Sequence, residues 1–253
     1  MTSRSLRRCA LAAALLLALC QAPAQRNTDP QLTTTLLSNP ASGSTDSPAA
    51  PWRVVGLPRQ TKPLTRYSVQ VVDGQRALRI EAQASYGNLV HDLTDPAEAA
   101  QRLRWTWRLD EPNAAADLRR KDSDDSPAKV CALFDLPTAA LPFVDRQVLC
   151  LARLRSGEDL PAAVVCYVWD SRLPAGTVLD NAYSRRIRSI VLRGVGAPLL
   201  TWVSEQRDIA ADFLRLFGDE TKLLPPLVGI AVGADADNTL GRSLAWLRTI
   251  TLD

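Results

Sequence analysis

The sequence predicts a mainly β, single-domain antiparallel sandwich of the jelly-roll type, with one short helix. Three observations carry that expectation. Residues 102–110 alternate strictly, with Leu103, Trp105, Trp107 and Leu109 on one parity and Arg102, Arg104, Thr106 and Arg108 on the other. That is the period of a strand with one face in a core and one in water. Asp73-Gly74 stands between two further alternating runs, a strong hairpin signal. Only one segment has helical spacing: Ile209, Phe213, Leu216 and Phe217 fall at i, i+4, i+7 and i+8, with Asp208 as N-cap and Gly218 just past the end.

Residues 1–24 read as a secretory leader. Arg4, Arg7 and Arg8 precede an apolar stretch from Cys9 to Cys20, and Ala22-Pro23-Ala24 supplies a small-x-small cleavage site. As a helix that stretch rises about 18 Å, short of a bilayer core of roughly 30 Å. The expectation is therefore export with cleavage to the periplasm and no transmembrane segment. Cys20 offers a lipoprotein alternative, which the large Leu19 before it disfavours.

Residues 25–51 are rich in Thr, Ser, Asn, Pro and Ala and are expected to form a flexible tail, with Gln31 to Leu37 its one strand-like run. The sandwich is expected over residues 52–253. Tyr67, Val69 and Val71 enter the hairpin, and Leu78, Ile80 and Ala82 return from it on one face. Further strand-like runs lie at Lys129–Asp135, Val148–Leu154, Val164–Trp169, Ile187–Arg193, Leu200–Ser204, Leu227–Ala234 and Leu244–Leu252. About ten strands with many loops and one helix point to two packed sheets.

Composition agrees. The chain is 253 residues long, 46% hydrophobic and 23% charged, enough for a real core and incompatible with disorder throughout. The net charge of +3 comes from the leader: without its three arginines, the 30 basic residues balance the 27 acidic ones. No electrostatic footprint for nucleic acid or an anionic membrane remains. Cys131, Cys150 and Cys166 permit one disulfide in three pairings, but each sits in an apolar run, so the simplest reading is small buried core residues.

The chemistry is defined largely by what is missing. His91 is the only histidine, which excludes multi-histidine zinc or iron sites within one chain. A Ser-His-Asp arrangement would have to use His91 beside Asp92, and no Gly-x-Ser-x-Gly elbow is present. Gly194-Val195-Gly196 begins like a phosphate loop but leads into Pro198 and a strand, so nucleotide binding is rejected. Trp105, Trp107, Tyr167 and Trp169 share parity with aliphatic residues and are expected in the core, not on a sugar platform. Glu81 and Glu205 are the strand glutamates available for glycoside hydrolysis, with a separation the sequence does not set.

Two acidic loops survive this sifting: Asp122-Ser123-Asp124-Asp125 and Asp235-Ala236-Asp237-Asn238. Alternating Asp and Asn oxygens suit calcium, although neither loop has the glycine and distal glutamate of an EF-hand. Solvated turns are the plainer reading of the same residues. If the loops meet, Lys121, Asp124, Asp125, Asp235, Asp237 and Asn238 would form one polar site, holding calcium or a polar ligand group. Lys121, Arg119 or Arg248 would then balance the carboxylates.

Several ordered pieces give the chain a family likeness. They are Arg104-Trp105-Thr106-Trp107-Arg108, Ala116-Asp117-Leu118-Arg119-Arg120-Lys121 leading to Asp124-Asp125, Tyr167-Val168-Trp169, Arg207-Asp208-Ile209-Ala210-Ala211-Asp212-Phe213 with Phe217-Gly218, and Asp235-Ala236-Asp237-Asn238-Thr239. Over roughly residues 52–253 the chain resembles the bacterial family catalogued as domain of unknown function 3047. The resemblance implies an exported bacterial domain and brings no activity with it. The chain departs from the pattern at Ser123, where glycine is expected, and at Trp246-Leu247-Arg248-Thr249, where Gly-Asp is expected after the aromatic.

The expected function is a non-enzymatic exported binding module for a glycan or cell-envelope component. The alternative is a jelly-roll hydrolase or lyase acting on envelope polysaccharide. A third possibility is a structural envelope protein with no small ligand. Fold alone does not choose among them.

Overall fold

A computed structural model describes residues 35–97, 102–156 and 160–253. The leader, its cleavage site, Cys20 and the first part of the expected tail lie outside the described residues. Along the chain, β1 (Arg53–Val55), β2 (Arg66–Val72), β3 (Gln75–Gln83), β4 (Asn88–Ala97), β5 (Arg102–Glu111) and β6 (Ala128–Phe134) come first. Then follow α1 (Phe143–Ser156), β7 (Ala163–Trp169), β8 (Val178–Asp180), β9 (Ile187–Arg193), β10 (Val203–Asp208), α2 (Ile209–Phe217), β11 (Leu227–Gly233) and β12 (Arg242–Leu252).

The strands form two sheets, a mainly β jelly-roll sandwich as expected. One sheet runs β1-β4-β11-β6-β7-β9-β8 and the other β10-β5-β12-β3-β2. Neighbours are antiparallel except for β7 and β9, which run parallel. The Asp73-Gly74 hairpin joins β2 to β3, with both residues at positive φ as the tight turn demands.

The core lies between the sheets, and β5 shows why. Leu103, Trp105, Trp107 and Leu109 are all buried. Trp105 meets Tyr167 at 5.3 Å between ring centroids, and Trp107 meets Trp169 at 5.5 Å, so aromatic pairs lock the two sheets together. All four rings are core, as parity predicts. The helix predicted at Asp208–Gly218 is α2, whose Asp208 side chain accepts from the Ala211 amide. Its Asp212 accepts from the Tyr167 hydroxyl at 2.9 Å and from Arg207, pinning the helix to both sheets.

Several expectations are corrected. The run Val148–Leu154 is not a strand but part of α1, so the described residues hold two α-helices. A short apolar run without alternation does not separate the two periods. The strand expected at Leu200–Ser204 begins only at Val203, because Leu200 adopts φ 58° and breaks the extended chain. Strand β4 was not anticipated: its polar residues Asn88, Asp92 and Thr94 mix with His91 and hide any alternation.

The tail expectation is also corrected over its described part. Leu37 and Ala41 are buried, the Leu36 amide donates to the Leu252 carbonyl, and the Trp52 indole donates to the Ser38 carbonyl at 2.8 Å. Apolar anchors spaced among the Ser and Pro residues therefore hold residues 35–51 against the sheets.

The cysteines differ too. Cys131 and Cys166 stand directly opposite each other on β6 and β7 and form a disulfide, while Cys150 is exposed on α1. Cross-strand register, invisible before the strands are paired, decides this. The disulfide floors a second apolar cluster on the outer face of the seven-stranded sheet, with Val90, Val168 and Val191 beside it and Leu118 and Leu173 from loops.

Candidate functional site

Strand pairing brings the two acidic loops together. β11 and β6 are antiparallel neighbours, with Gly233 opposite Lys129, so the chain leaving β11 meets the chain entering β6 at one end of the sheet. The backbone continues the contact: the Asp235 amide donates to the Ser126 carbonyl, and the Ser126 amide donates to the Asp235 carboxylate at 2.8 Å. Carboxylate oxygens of Asp125, Asp235 and Asp237 all lie within 4.8 Å of one another, and the three residues are buried.

Each carboxylate has a distinct job. Asp125 accepts from the amides of Asn238 and Thr239 and from the Thr239 hydroxyl, at 3.1, 2.8 and 2.5 Å. It staples one loop to the other. Asp235 accepts the Lys129 ammonium at 2.9 Å, and Asp237 accepts the Lys62 ammonium at 2.8 Å. Asp124 accepts only from the Asn181 amide, at 2.6 Å, among the described residues.

Gly233 makes the Lys129 contact possible. A Cβ there would lie 3.1 Å from Lys129 Cε and would clash with the Asn88 side chain. The lysine stem crosses β11 over this bare backbone and also sets its ammonium 5.3 Å from the Tyr86 ring centroid.

The electrostatics follow from burial. Burial, with the nearby Asp235 charge, pushes the Asp124 carboxyl up to about 6 against the opposing Asn181 hydrogen bond. Burial pushes the Asp235 carboxyl up as well, while Lys129 and the Ser126 amide pull it back. Burial opposes the Lys129 charge, but Asp235, Tyr86 and Asp124 overcome it and raise its affinity for the proton.

Lys62 and Lys129 thus supply the positive charge that a calcium ion, or Lys121 and Arg119, would otherwise bring. With Asp125 saturated by donors and two ammonium groups on Asp235 and Asp237, a calcium ion would have to displace lysines to gain its six to eight oxygens. The donor set does not fit that ion.

The expected balancing residues lie elsewhere. The Lys121 ammonium sits 5.6 Å from the Tyr183 ring centroid, and only the Lys121 carbonyl joins the network, accepting from Asn238 Nδ2 and the Tyr183 hydroxyl at 2.6 and 2.5 Å. Arg119 pairs with Asp117, and Arg248 lies on the five-stranded sheet against Trp202. Asn238 does join the site, bridging Lys121 and Tyr183. Lys62, Lys129, Tyr86, Asn181 and Tyr183 were missed. Only Lys129 carried a usable signal, being the one charged residue of the otherwise apolar β6.

The result is a buried, charge-compensated cluster that opens onto a polar surface. Tyr183 is 61% exposed there, with its hydroxyl held by Lys121 and Asn238. Asn181 links the two layers, donating to Asp124 and accepting from the Tyr183 amide at 3.0 Å. Such a surface offers a fixed ring edged by amides and a carboxylate.

The catalytic candidates do not assemble. Glu81 and Glu205 belong to β3 and β10, which stand three strand spacings apart, roughly 14 Å. Glu205 shares the inner face with its partner Trp105, whereas Glu81 pairs with Arg66 and Leu244 on the outer face. Arg79 holds Glu81 below the usual carboxylate range, and Arg193 and the Trp107 indole occupy Glu205. His91 is buried against Trp52 and accepts from the Ser38 amide, and burial lowers its affinity for a proton. Asp92, its expected partner, pairs with Arg53 instead.

Comparison with known proteins gives the family. Among solved structures, the chain is similar to endoglucanase 3 of family GH12 from Trichoderma harzianum, at 8% identity and TM-score 0.42, covering 81% of this chain and 98% of that one. It is also similar to a family 29 carbohydrate-binding module at 10% identity and TM-score 0.34, covering 87% and 90%. No curated protein matches it. The profile of the family described as "Protein of unknown function (DUF3047)" matches residues 50–251, and the chain belongs to that family.

Proposed function

We propose that this protein is an exported, non-enzymatic binding module for a saccharide of a glycan or cell-envelope component. The single observation that carries the reading is Tyr183. Its ring is exposed, its hydroxyl is fixed by two hydrogen bonds, and it stands beside the amide and carboxylate groups of Asn238, Asn181 and Asp124. Saccharide sites combine such a rigid ring with a few aligned polar groups.

Export is supported by the leader-like residues 1–24 and by the Cys131–Cys166 disulfide, a bond that persists in oxidising compartments. Binding without turnover is supported by Glu81 and Glu205, which occupy opposite faces of one sheet with arginine partners.

A glycan array combined with a hydrolysis screen on envelope polysaccharides tests the reading. Saccharide capture without release of reducing ends is the expected result. Turnover that is lost in Glu81→Gln or Glu205→Gln would establish the hydrolase instead.

A further inference from the structure

The outer face of the five-stranded sheet is rich in arginine, and several of its guanidinium groups have a carboxylate partner. Arg79 pairs with Glu81, Arg104 with Asp253, Arg108 with Asp110 and Asp73, and Arg242 with Glu81 and Glu111. Arg248 differs from these in being partly buried against an indole. Among the described residues its side chain has no ion pair and no hydrogen bond, and its Nε is buried without an acceptor.

Backbone geometry shows that the placement is built. β12 changes register against β5 between Leu247 and Thr249, so Arg248 is the extra residue of a β-bulge. A bulge re-aims its side chain, and bulges gather next to functional sites. Here the guanidinium carbon lies over the Trp202 ring, 3.9 Å from its centroid, well within cation–π range. The ring is itself fixed, because Trp202 Nε1 donates to Asp73 at 2.8 Å, and Asp73 also accepts Arg108.

The buried Nε is closed to a ligand, but the Nη1 and Nη2 groups of Arg248 have no acceptor among the described residues and are not buried, which leaves that edge of the guanidinium open. We propose that Arg248 and Trp202 form a binding site for an oxyanion, a carboxylate or a phosphate, taken in the plane of the guanidinium. This site is separate from the Tyr183 surface and does not depend on the glycan reading. An anion that presents two oxygens matches the guanidinium fork, and the indole beneath it fixes the fork's orientation.

The test follows the indole N–H resonances of the 15N-labelled chain, with the Trp202 signal identified through Trp202→Phe. Inorganic phosphate, sodium glucuronate and sodium chloride of matched ionic strength are titrated separately. Phosphate or glucuronate is expected to move the Trp202 signal saturably, and chloride is not. Response to phosphate alone marks a phosphate-type ligand, and response to glucuronate alone marks a sugar-borne carboxylate. Arg248→Ala and Arg248→Gln are each expected to weaken binding at least about tenfold, because a charge-assisted hydrogen bond is lost. A Trp202 signal unmoved by both anions, or equal affinity in the well-folded Arg248 variants, would overturn the proposal.

Discussion

The Lys129 ammonium lies 2.9 Å from the Asp235 carboxylate, with side chains only 13% and 8% exposed. This pair sits where two acidic loops close on each other, and it replaces a metal ion as the source of positive charge. Its loss should be severe. Lys129→Met leaves Asp235 buried without its partner and is expected to cost about 3–5 kcal/mol, read from urea unfolding. The double variant Lys129→Met/Asp235→Asn should regain most of that loss. Lys62→Ala should cost less, because the Lys62 side chain is half-exposed.

Thermal melts across millimolar calcium and with chelator are expected to give one unchanged midpoint. A ligand of the folded state present at one hundred times its dissociation constant would add about 2.7 kcal/mol and raise the midpoint visibly. A calcium-dependent rise would mean that the lysines move aside.

Asp124 sets a pH dependence. Its carboxyl is raised to about 6 by burial, above the range of an unfolded aspartate. The folded state therefore holds the proton more tightly, and the benefit is fully present below the unfolded value. It is lost as pH rises through the folded value. At pH 7.5 the charged form is a liability, so Asp124→Asn should stabilise the protein by about 1 kcal/mol there, after allowance for solvent screening. Near pH 3.5 the same variant should be close to neutral. Denaturant midpoints at the two pH values read this difference directly.

The Cys131–Cys166 bond closes a loop of sequence separation 35. Replacing both cysteines by serine is expected to cost about 3–4 kcal/mol through the freed unfolded chain. Reductant should lower the midpoint of the parent protein and leave that of the double variant unmoved.

Much of the fold was legible because its signals are local. Residues 102–110 alternate, Asp73-Gly74 forces a turn, and Asp208 and Gly218 bracket an amphipathic helix. Where local signals are weak, the reading failed. The apolar run around Cys150 fits either period, and Leu200 breaks its strand through a backbone angle that composition does not announce. The site divides in the same way. The two acidic loops were visible as loops, and the register of β6 against β11 joins them. Lys62, Asn181 and Tyr183 come from segments far away in sequence, so their convergence is a product of tertiary packing alone. The expected role of Lys121 failed for a physical reason: its side chain finds the Tyr183 ring, and the carboxylates find lysines that lie closer.

The central claim is that a saccharide is held at the Tyr183 surface without being cleaved. Calorimetric titration of an array-selected oligosaccharide into the parent chain and Tyr183→Ala tests it most directly. Loss of a stacking ring is expected to weaken binding by about tenfold or more, with no change in melting midpoint and no product formed. Equal affinity in the two proteins would contradict it.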